Sequence, residues 1–146
     1  MTQDVLSEVN QGIQTITLNR PDCLNAINDA LAGQLMQALQ QANADDQVKV
    51  VVLQGAGRAF CAGDDLDNTL ADLNDNNRES LEQYADTLQA FSRQMLYSDK
   101  FMVCAVQGWA VGAGFELVLN CDFSLWGSGA RAYFPPLRPR STMAVM

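Results

Sequence analysis

Two stretches in which an apolar, largely β-branched run breaks into a glycine-rich turn constrain this chain more than anything else in it. The first is Val50-Val51-Val52-Leu53-Gln54-Gly55-Ala56-Gly57-Arg58-Ala59-Phe60-Cys61-Ala62-Gly63-Asp64-Asp65-Leu66. Its opening residues are what a strand buried on both faces looks like. Glycines at 55, 57 and 63 take backbone angles closed to other residues and let a ligand approach the main chain, where exposed N–H groups can bind an oxyanion. A single turn of this kind more often just reverses the chain. A second one built the same way shifts the balance toward function: Phe101-Met102-Val103-Cys104-Ala105-Val106 runs into Gln107-Gly108-Trp109-Ala110-Val111-Gly112-Ala113-Gly114-Phe115-Glu116-Leu117.

The remaining periodicity places elements around these turns. Val5–Val9 and Ile13–Leu18, separated by Asn10-Gln11-Gly12, form a hairpin. From Asn28, a natural N-cap, Leu31, Leu35, Ala38, Leu39 and Ala42 fall on one helical stripe. That helix returns the chain to a strand at Val48–Leu53, which makes a crossover unit. Asp67 to Asn77 is acidic and amide-rich, a loop over the pocket of the first turn or simply a solvated one. Ser80-Leu81-Glu82-Gln83 resembles a capping box, followed by Leu81, Tyr84, Leu88, Phe91 and Met95 on one face of a second helix. A strand at Phe101–Val106, a short helix from Gly114, a strand near Asp122–Trp126 and an extended piece at Ala132–Phe134 complete the pattern.

Composition narrows the function. The length suits one domain with a real core. A net charge of −8 argues against nucleic acid or an anionic membrane as a partner. The four cysteines, Cys23, Cys61, Cys104 and Cys121, form no C-x-x-C pair and are expected to be reduced, three of them in apolar surroundings. Without histidine, a zinc site and Ser-His-Asp or Cys-His catalysis within one subunit are both disfavoured. No apolar run reaches the ~20 residues of a membrane span and the start lacks a signal-peptide pattern, so a soluble, cytoplasmic protein is expected.

The turns carry a family resemblance. The first is similar to the signature of the crotonase family, the enoyl-CoA hydratase/isomerase superfamily. Leu18-Asn19-Arg20-Pro21-Asp22-Cys23-Leu24-Asn25-Ala26 resembles its Asn-Arg-Pro…Asn-Ala loop, and Leu119-Asn120-Cys121-Asp122 the segment following its second turn. The four matches lie in family order across roughly residues 13–134. The resemblance implies an α/β fold, the ClpP/crotonase spiral of repeated β-β-α units, in which both turns give one main-chain N–H to an oxyanion hole for an acyl-CoA thioester carbonyl. These donors fall on Asp64 and Ala113. Arg20, Asn25, Ala26, Ala62, Gly63, Asp65, Leu66, Gly112 and Gly114 would line the coenzyme A site, coenzyme A being the substrate's carrier rather than a separate cofactor. No metal is implied. A polyanionic ligand must then rely on local Arg, Lys and N–H groups against the overall charge. Leu66, Tyr84, Trp109 and Phe115 are candidates for the pocket wall or, equally, plain core.

Glu116, three residues after Ala113, occupies the place of one of the two catalytic glutamates of the family's hydratases. Apolar neighbours Phe115, Leu117 and Val118 disfavour a charge there, whereas a helix start favours one. Capping orphan N–H groups is the bland alternative. Asp65 matches a commonly acidic position and is expected to accept turn N–H groups. Asp64 stands where a small residue is usual, and its carboxylate would oppose an enolate unless it points away. The second glutamate of the family lies in a Phe-Pro-Glu-type segment, but here Tyr133-Phe134-Pro135-Pro136-Leu137 puts Pro136 in its place.

Beyond that point the resemblance stops, which divides the chain into a crotonase-like N-terminal core at 1–134, an incomplete domain, and a divergent tail at 135–146. The abrupt change suggests a frameshifted or truncated product without the family's C-terminal helical region. Part of the sheet's apolar face should then lie open. The implied activity is that of an enoyl-CoA hydratase or isomerase, a lyase or isomerase of the fatty-acid-metabolism type, working as a homo-oligomer, a trimer or hexamer in the family. With one glutamate, isomerisation is as reasonable as hydration. The alternative is an inactive remnant or an acyl-CoA-binding module. A dinucleotide site on Gly112-Ala113-Gly114 is disfavoured, because the third fingerprint glycine is absent and the preceding strand ends too early.

Overall fold

The computed structural model describes residues 3–65 and 78–134. The acidic segment from Asp67 to Asn77, Leu66 and the tail at 135–146, with Pro135 and Pro136, therefore lie outside the described residues. In chain order the elements are β1 (Val5–Asn10), β2 (Ile13–Leu18), a 3-10 turn (Pro21–Cys23), α1 (Asp29–Ala44), β3 (Val50–Gly55), α2 (Arg78–Leu96), β4 (Phe101–Val106), β5 (Trp109–Val111), α3 (Ala113–Leu119), β6 (Phe123–Trp126) and β7 (Arg131–Tyr133).

The hairpin forms as expected: β1 pairs antiparallel with β2, Asn10 opposite Ile13. The two residues between them, Gln11 and Gly12, have φ of 49° and 80°, the left-handed pair that a tight hairpin turn requires. From β2 onward the sheet is parallel, in the order β1-β2-β3-β4-β6. A second, two-stranded parallel sheet pairs β5 with β7, Trp109 opposite Arg131 and Val111 opposite Tyr133.

α1 starts where the capping argument places it. The Asn28 side-chain oxygen accepts the Leu31 N–H at 2.9 Å, and the buried residues of the helix are Leu31, Leu35, Ala38, Leu39 and Ala42. These pack on the sheet face formed by Ile16 and Leu18 of β2, Val51 and Leu53 of β3, and Met102, Cys104 and Val106 of β4. Gln14 shares that buried face. Its amide donates to Ser7 Oγ at 2.9 Å and to the Ala38 carbonyl at 3.2 Å, which meets the cost of enclosing a polar side chain. α2 adds Phe91 and Met95 to the same core, with Leu88 packed beside them.

Several boundaries and one burial expectation need correcting. Val48 and Lys49 precede the ladder: their N–H groups bond Asp45 and Gly12, so β3 begins at Val50 rather than Val48. α2 is already helical at Arg78, which leaves Ser80 inside the helix and unable to act as its N-cap. α3 begins at Ala113, not Gly114, with Gly112 as its N-cap. The strand β3 is covered on one face only, Val50 and Val52 being half-buried. On β4 and β6 the uncovered face is apolar: Phe101 is 61 % exposed, Phe123 59 % and Leu125 66 %, with the Phe101 and Phe123 rings 6.3 Å apart. The expected open apolar face is therefore present.

Candidate active site

The first turn leaves β3 at Gly55, where a β-carbon would overlap the Phe60 carbonyl. From there the chain runs beside the second turn as a short parallel pairing. Phe60 N–H bonds the Gln107 carbonyl at 2.8 Å, Cys61 N–H the Trp109 carbonyl at 3.1 Å, and Val111 N–H the Cys61 carbonyl at 2.9 Å. Gln107 reaches back through its amide to the Gly55 carbonyl at 2.5 Å. The second turn is anchored in turn by β7, since Gly112 N–H bonds the Tyr133 carbonyl at 2.9 Å.

Glycine is required where the turns meet. Gly63 has a φ of 89°, and a β-carbon there would stand 2.7 Å from the Val111 carbonyl oxygen and 3.7 Å from the Ala113 nitrogen. Gly114 is buried directly against Cys61. The structure thus brings Gly63, Gly112, Ala113 and Gly114 together, although the residues on either side of the contact are some fifty positions apart. Neither Asp64 N–H nor Ala113 N–H donates a backbone hydrogen bond among the described residues. N–H groups on abutting turns that are not tied to main-chain carbonyls are what an oxyanion site draws on.

Asn28 leads α1, but the loop before it does most of the local holding. Ile27 N–H bonds the Gly63 carbonyl at 2.7 Å and Asp65 N–H bonds the Ile27 carbonyl at 2.9 Å. Ala62 N–H bonds Leu24 at 2.9 Å. Arg20 donates through Nη1 to the Ala26 carbonyl at 2.6 Å and to Asp65 Oδ2 at 3.0 Å, and its Nε lies 3.8 Å from Asp4 Oδ2. The Arg20 guanidinium is already engaged by two carboxylates. The Asp65 carboxylate pairs with the Arg20 guanidinium.

Asn25 departs from its expected place along the coenzyme A site. It is fully enclosed at 0 % exposure, with a left-handed φ of 57°. Its side-chain oxygen accepts Arg20 N–H at 2.8 Å, and its amide donates to the carbonyls of Ala56 and Ala59 at 2.9 Å and of Phe60 at 3.1 Å. A side chain so committed positions the first turn and leaves nothing for a ligand.

Glu116 sits in the first turn of α3, half-buried, its backbone N–H bonded to Gly112. Its carboxylate accepts no hydrogen bond from the described residues, so a cap role for the side chain is not what the geometry provides. Asp64 is the less expected neighbour. Its Oδ1 is shut off from solvent and has no hydrogen-bond partner. Burial, reinforced by the negative charge of Glu116, raises its carboxyl above the usual carboxylate range, while its own backbone N–H pulls the other way. Cys61, behind the turn, donates its thiol to the Asn25 carbonyl at 3.1 Å. Burial is the main cause that pushes this thiol up to about 12, against the Gly63 N–H that favours the thiolate. It is a packed thiol, not a nucleophile.

Of the candidate wall residues, Phe115 is half-buried and meets the Trp126 ring edge-on at 6.4 Å. Trp109 is 43 % exposed and carries the Arg131 guanidinium 5.5 Å above its ring. Tyr84 lies on α2, but its side chain falls outside what is described. Two cations went unremarked in the sequence. The carbonyl of Arg58 crowds Gly108, and Arg131 N–H bonds the Gly108 carbonyl at 2.7 Å, so the backbones of these two exposed arginines flank one glycine. Arg58 was visible inside the first turn, whereas Arg131 arrives only through the β5–β7 pairing.

A parallel sheet feeding two abutting glycine turns, with a carboxylate one turn into α3, defines a crotonase-fold protein. The chain belongs to the enoyl-CoA hydratase/isomerase family, whose model matches residues 8–136. It is similar to 1,2-epoxyphenylacetyl-CoA isomerase of Escherichia coli, 37 % identical over 134 residues, which are 90 % of this chain and 50 % of that protein. It is also similar to 2,3-dehydroadipyl-CoA hydratase of the same organism, 39 % identical over 129 residues, 87 % of this chain and 48 % of the relative. Among solved structures, enoyl-CoA hydratase from Bacillus anthracis superposes with a TM-score of 0.84 at 29 % identity, covering 90 % of this chain and 50 % of that one. The chain spans about half the length of these relatives. Among the described residues no helix is long and apolar enough to cross a membrane.

Proposed function

We propose that this chain handles an acyl-CoA thioester through enolate chemistry of the hydratase/isomerase type. The observation that carries the reading is the meeting of the two turns, where among the described residues neither Asp64 N–H nor Ala113 N–H bonds a main-chain carbonyl and where the Glu116 charge acts on Asp64. The thioester oxygen is held by the two N–H groups as it becomes an enolate oxygen, and Glu116 takes or returns a proton at a carbon next to the carbonyl. One oxyanion donor is typically worth about 2.7–4 kcal/mol of barrier, so both turns have to be in place. The exposed Arg58 and Arg131 supply cations for the carrier's phosphates, a part that the engaged Arg20 does not fill. With one glutamate at the turns, bond isomerisation is as reasonable as hydration.

A second reading, an acyl-CoA-binding module without turnover, is favoured by Pro136 in place of the family's second glutamate. One experiment separates the two. Calorimetric titration with acetoacetyl-CoA is expected to saturate, and Glu116→Gln is expected to abolish enoyl-CoA turnover while leaving that binding in place. Binding with no turnover by the parent selects the module, and equal turnover by Glu116→Gln removes the role given to Glu116. We further read the protein as cytoplasmic and self-associating through the open apolar face of β4 and β6, which light scattering at rising concentration tests.

A further inference from the structure

We propose that the Asp64 side chain is a second proton-transfer carboxyl of this site, giving up a proton to the acyl chain while Glu116 takes one. The proposal rests on the acyl-thioester reading above and names a residue that the family pattern does not supply. Asp64 has been considered so far for its main-chain N–H. Its side chain is the anomaly, because Oδ1 is enclosed without any hydrogen-bond partner. An enclosed carboxylate oxygen left unpaired is strongly disfavoured, whereas a neutral carboxylic acid is far less so.

The surroundings point the same way. The contact of Gly63 with Val111 and Ala113 carries Asp64 up to the start of α3, where the charge of Glu116 acts on it. On its own segment the other titratable group facing it is the Cys61 thiol. Arg20, which pairs with the adjacent Asp65, is held by Asp65, Asp4 and the Ala26 carbonyl. Among the described residues no cation pairs with Asp64. Where two carboxyl groups repel each other a proton on one of them relieves the pair, and the enclosed, unpartnered Oδ1 makes Asp64 the one that gains by holding it. The direction in which burial and Glu116 move the Asp64 carboxyl supports that division. A neutral Asp64 also removes the repulsion that a charged one would offer an enolate.

On a 3-enoyl-CoA the step balances as follows. The Glu116 carboxylate removes a proton from the α-carbon, and the electron pair spreads over a dienolate whose oxygen faces the two N–H donors. Asp64 gives its carboxyl proton to the γ-carbon, the electron pair returns from the oxygen, and the double bond lies between α and β. Glu116 is left protonated and Asp64 ionised. Transfer of one proton from Glu116 to Asp64, directly or through solvent, restores both. No oxidant or reductant is consumed.

The test follows a 3-enoyl-CoA in deuterium oxide with the parent, Asp64→Asn and Glu116→Gln, reading α-proton exchange and double-bond shift separately. In Asp64→Asn, which retains the backbone N–H, the shift is expected to slow by at least ~100-fold more than exchange does, the scale of a lost acid. The high-pH fall of the parent's profile should also disappear. Glu116→Gln is expected to lose both readouts. Carbon-detected NMR gives a readout that needs no turnover: the Asp64 carboxyl should titrate lower in Glu116→Gln than in the parent. Parental shift rates in Asp64→Asn, or an unmoved Asp64 titration, overturn the assignment alone. A parent that exchanges no α-proton overturns the acyl-thioester reading, and Asp64's part with it.

Discussion

Gly114 rests directly on Cys61: a β-carbon at Gly114 would stand 2.5 Å from the Cys61 carbonyl oxygen, 2.7 Å from its Cβ and 2.9 Å from its Sγ. The two turns touch with no room for one more methyl group. Gly114→Ala therefore has to separate them, at about 1–3 kcal/mol of overpacking. The denaturation midpoint should fall accordingly, and calorimetric affinity for acetoacetyl-CoA should fall even under conditions where the variant remains folded. Undiminished affinity would mean that the spacing of the turns does not set the site.

Asn25 holds together three carbonyls and one N–H that have few other options. Asn25→Ala strands several of them at roughly 1–3 kcal/mol each and places alanine at a left-handed φ. A loss of about 3 kcal/mol is expected by urea denaturation, more than any surface substitution would give. Asn28→Ala is the calibrating control. Only one N-cap bond is removed there, so about 1 kcal/mol should go.

Asp64 should weaken the fold at neutral pH. Its carboxyl is raised in the folded chain relative to an ordinary value of 3.8. Its contribution to stability is thus fully present below the unfolded value and lost as pH rises through the folded one. Asp64→Ala keeps the backbone N–H and deletes the unpaired oxygen, so at pH 7 the variant should be more stable by on the order of 1 kcal/mol. The advantage should shrink on acidification toward pH 4. Equal stability of variant and parent at every pH would show that Asp64 is solvated after all.

The thiols offer a check that needs no substitution. Cys23 is exposed, whereas Cys61 and Cys104 are buried and Cys121 is half-buried. A hydrogen bond with the Cys121 thiol, then burial, raises Cys104 as well. At pH 8 a thiol reagent followed by mass spectrometry should label Cys23 first and reach Cys61 and Cys104 only after unfolding. Cys61 titrates near 9.0 unfolded and about 12 folded. Its contribution is complete below about 9 and disappears as pH climbs toward 12, so stability should decline across that window.

Local chemistry made most of the elements legible. Asn28 and its stripe located α1, and the glycine runs located the two turns, because caps, periodicity and glycine act over a few residues. What could not be read were relations set by distant chain. Nothing beside Asn25 in the sequence shows that its amide is consumed by Ala56, Ala59 and Phe60. Ser80 matched a capping box, yet α2 is already wound at Arg78. The apolar run at β3 implied two covered faces, but only packing partners decide whether the second is covered, and Val50 and Val52 remain half-open. The isolation of Asp64 Oδ1 is likewise a property of the assembled turns.

The bond from Gly112 N–H to the Tyr133 carbonyl sets a schedule for synthesis. As the chain leaves the ribosome, β1 to β4 can pair, α1 can dock and the second turn can lean on the first through Phe60 and Cys61. Its other side is fixed only when Tyr133 has emerged, near the close of the described chain. Any nascent intermediate shorter than this holds the second glycine turn from one side alone.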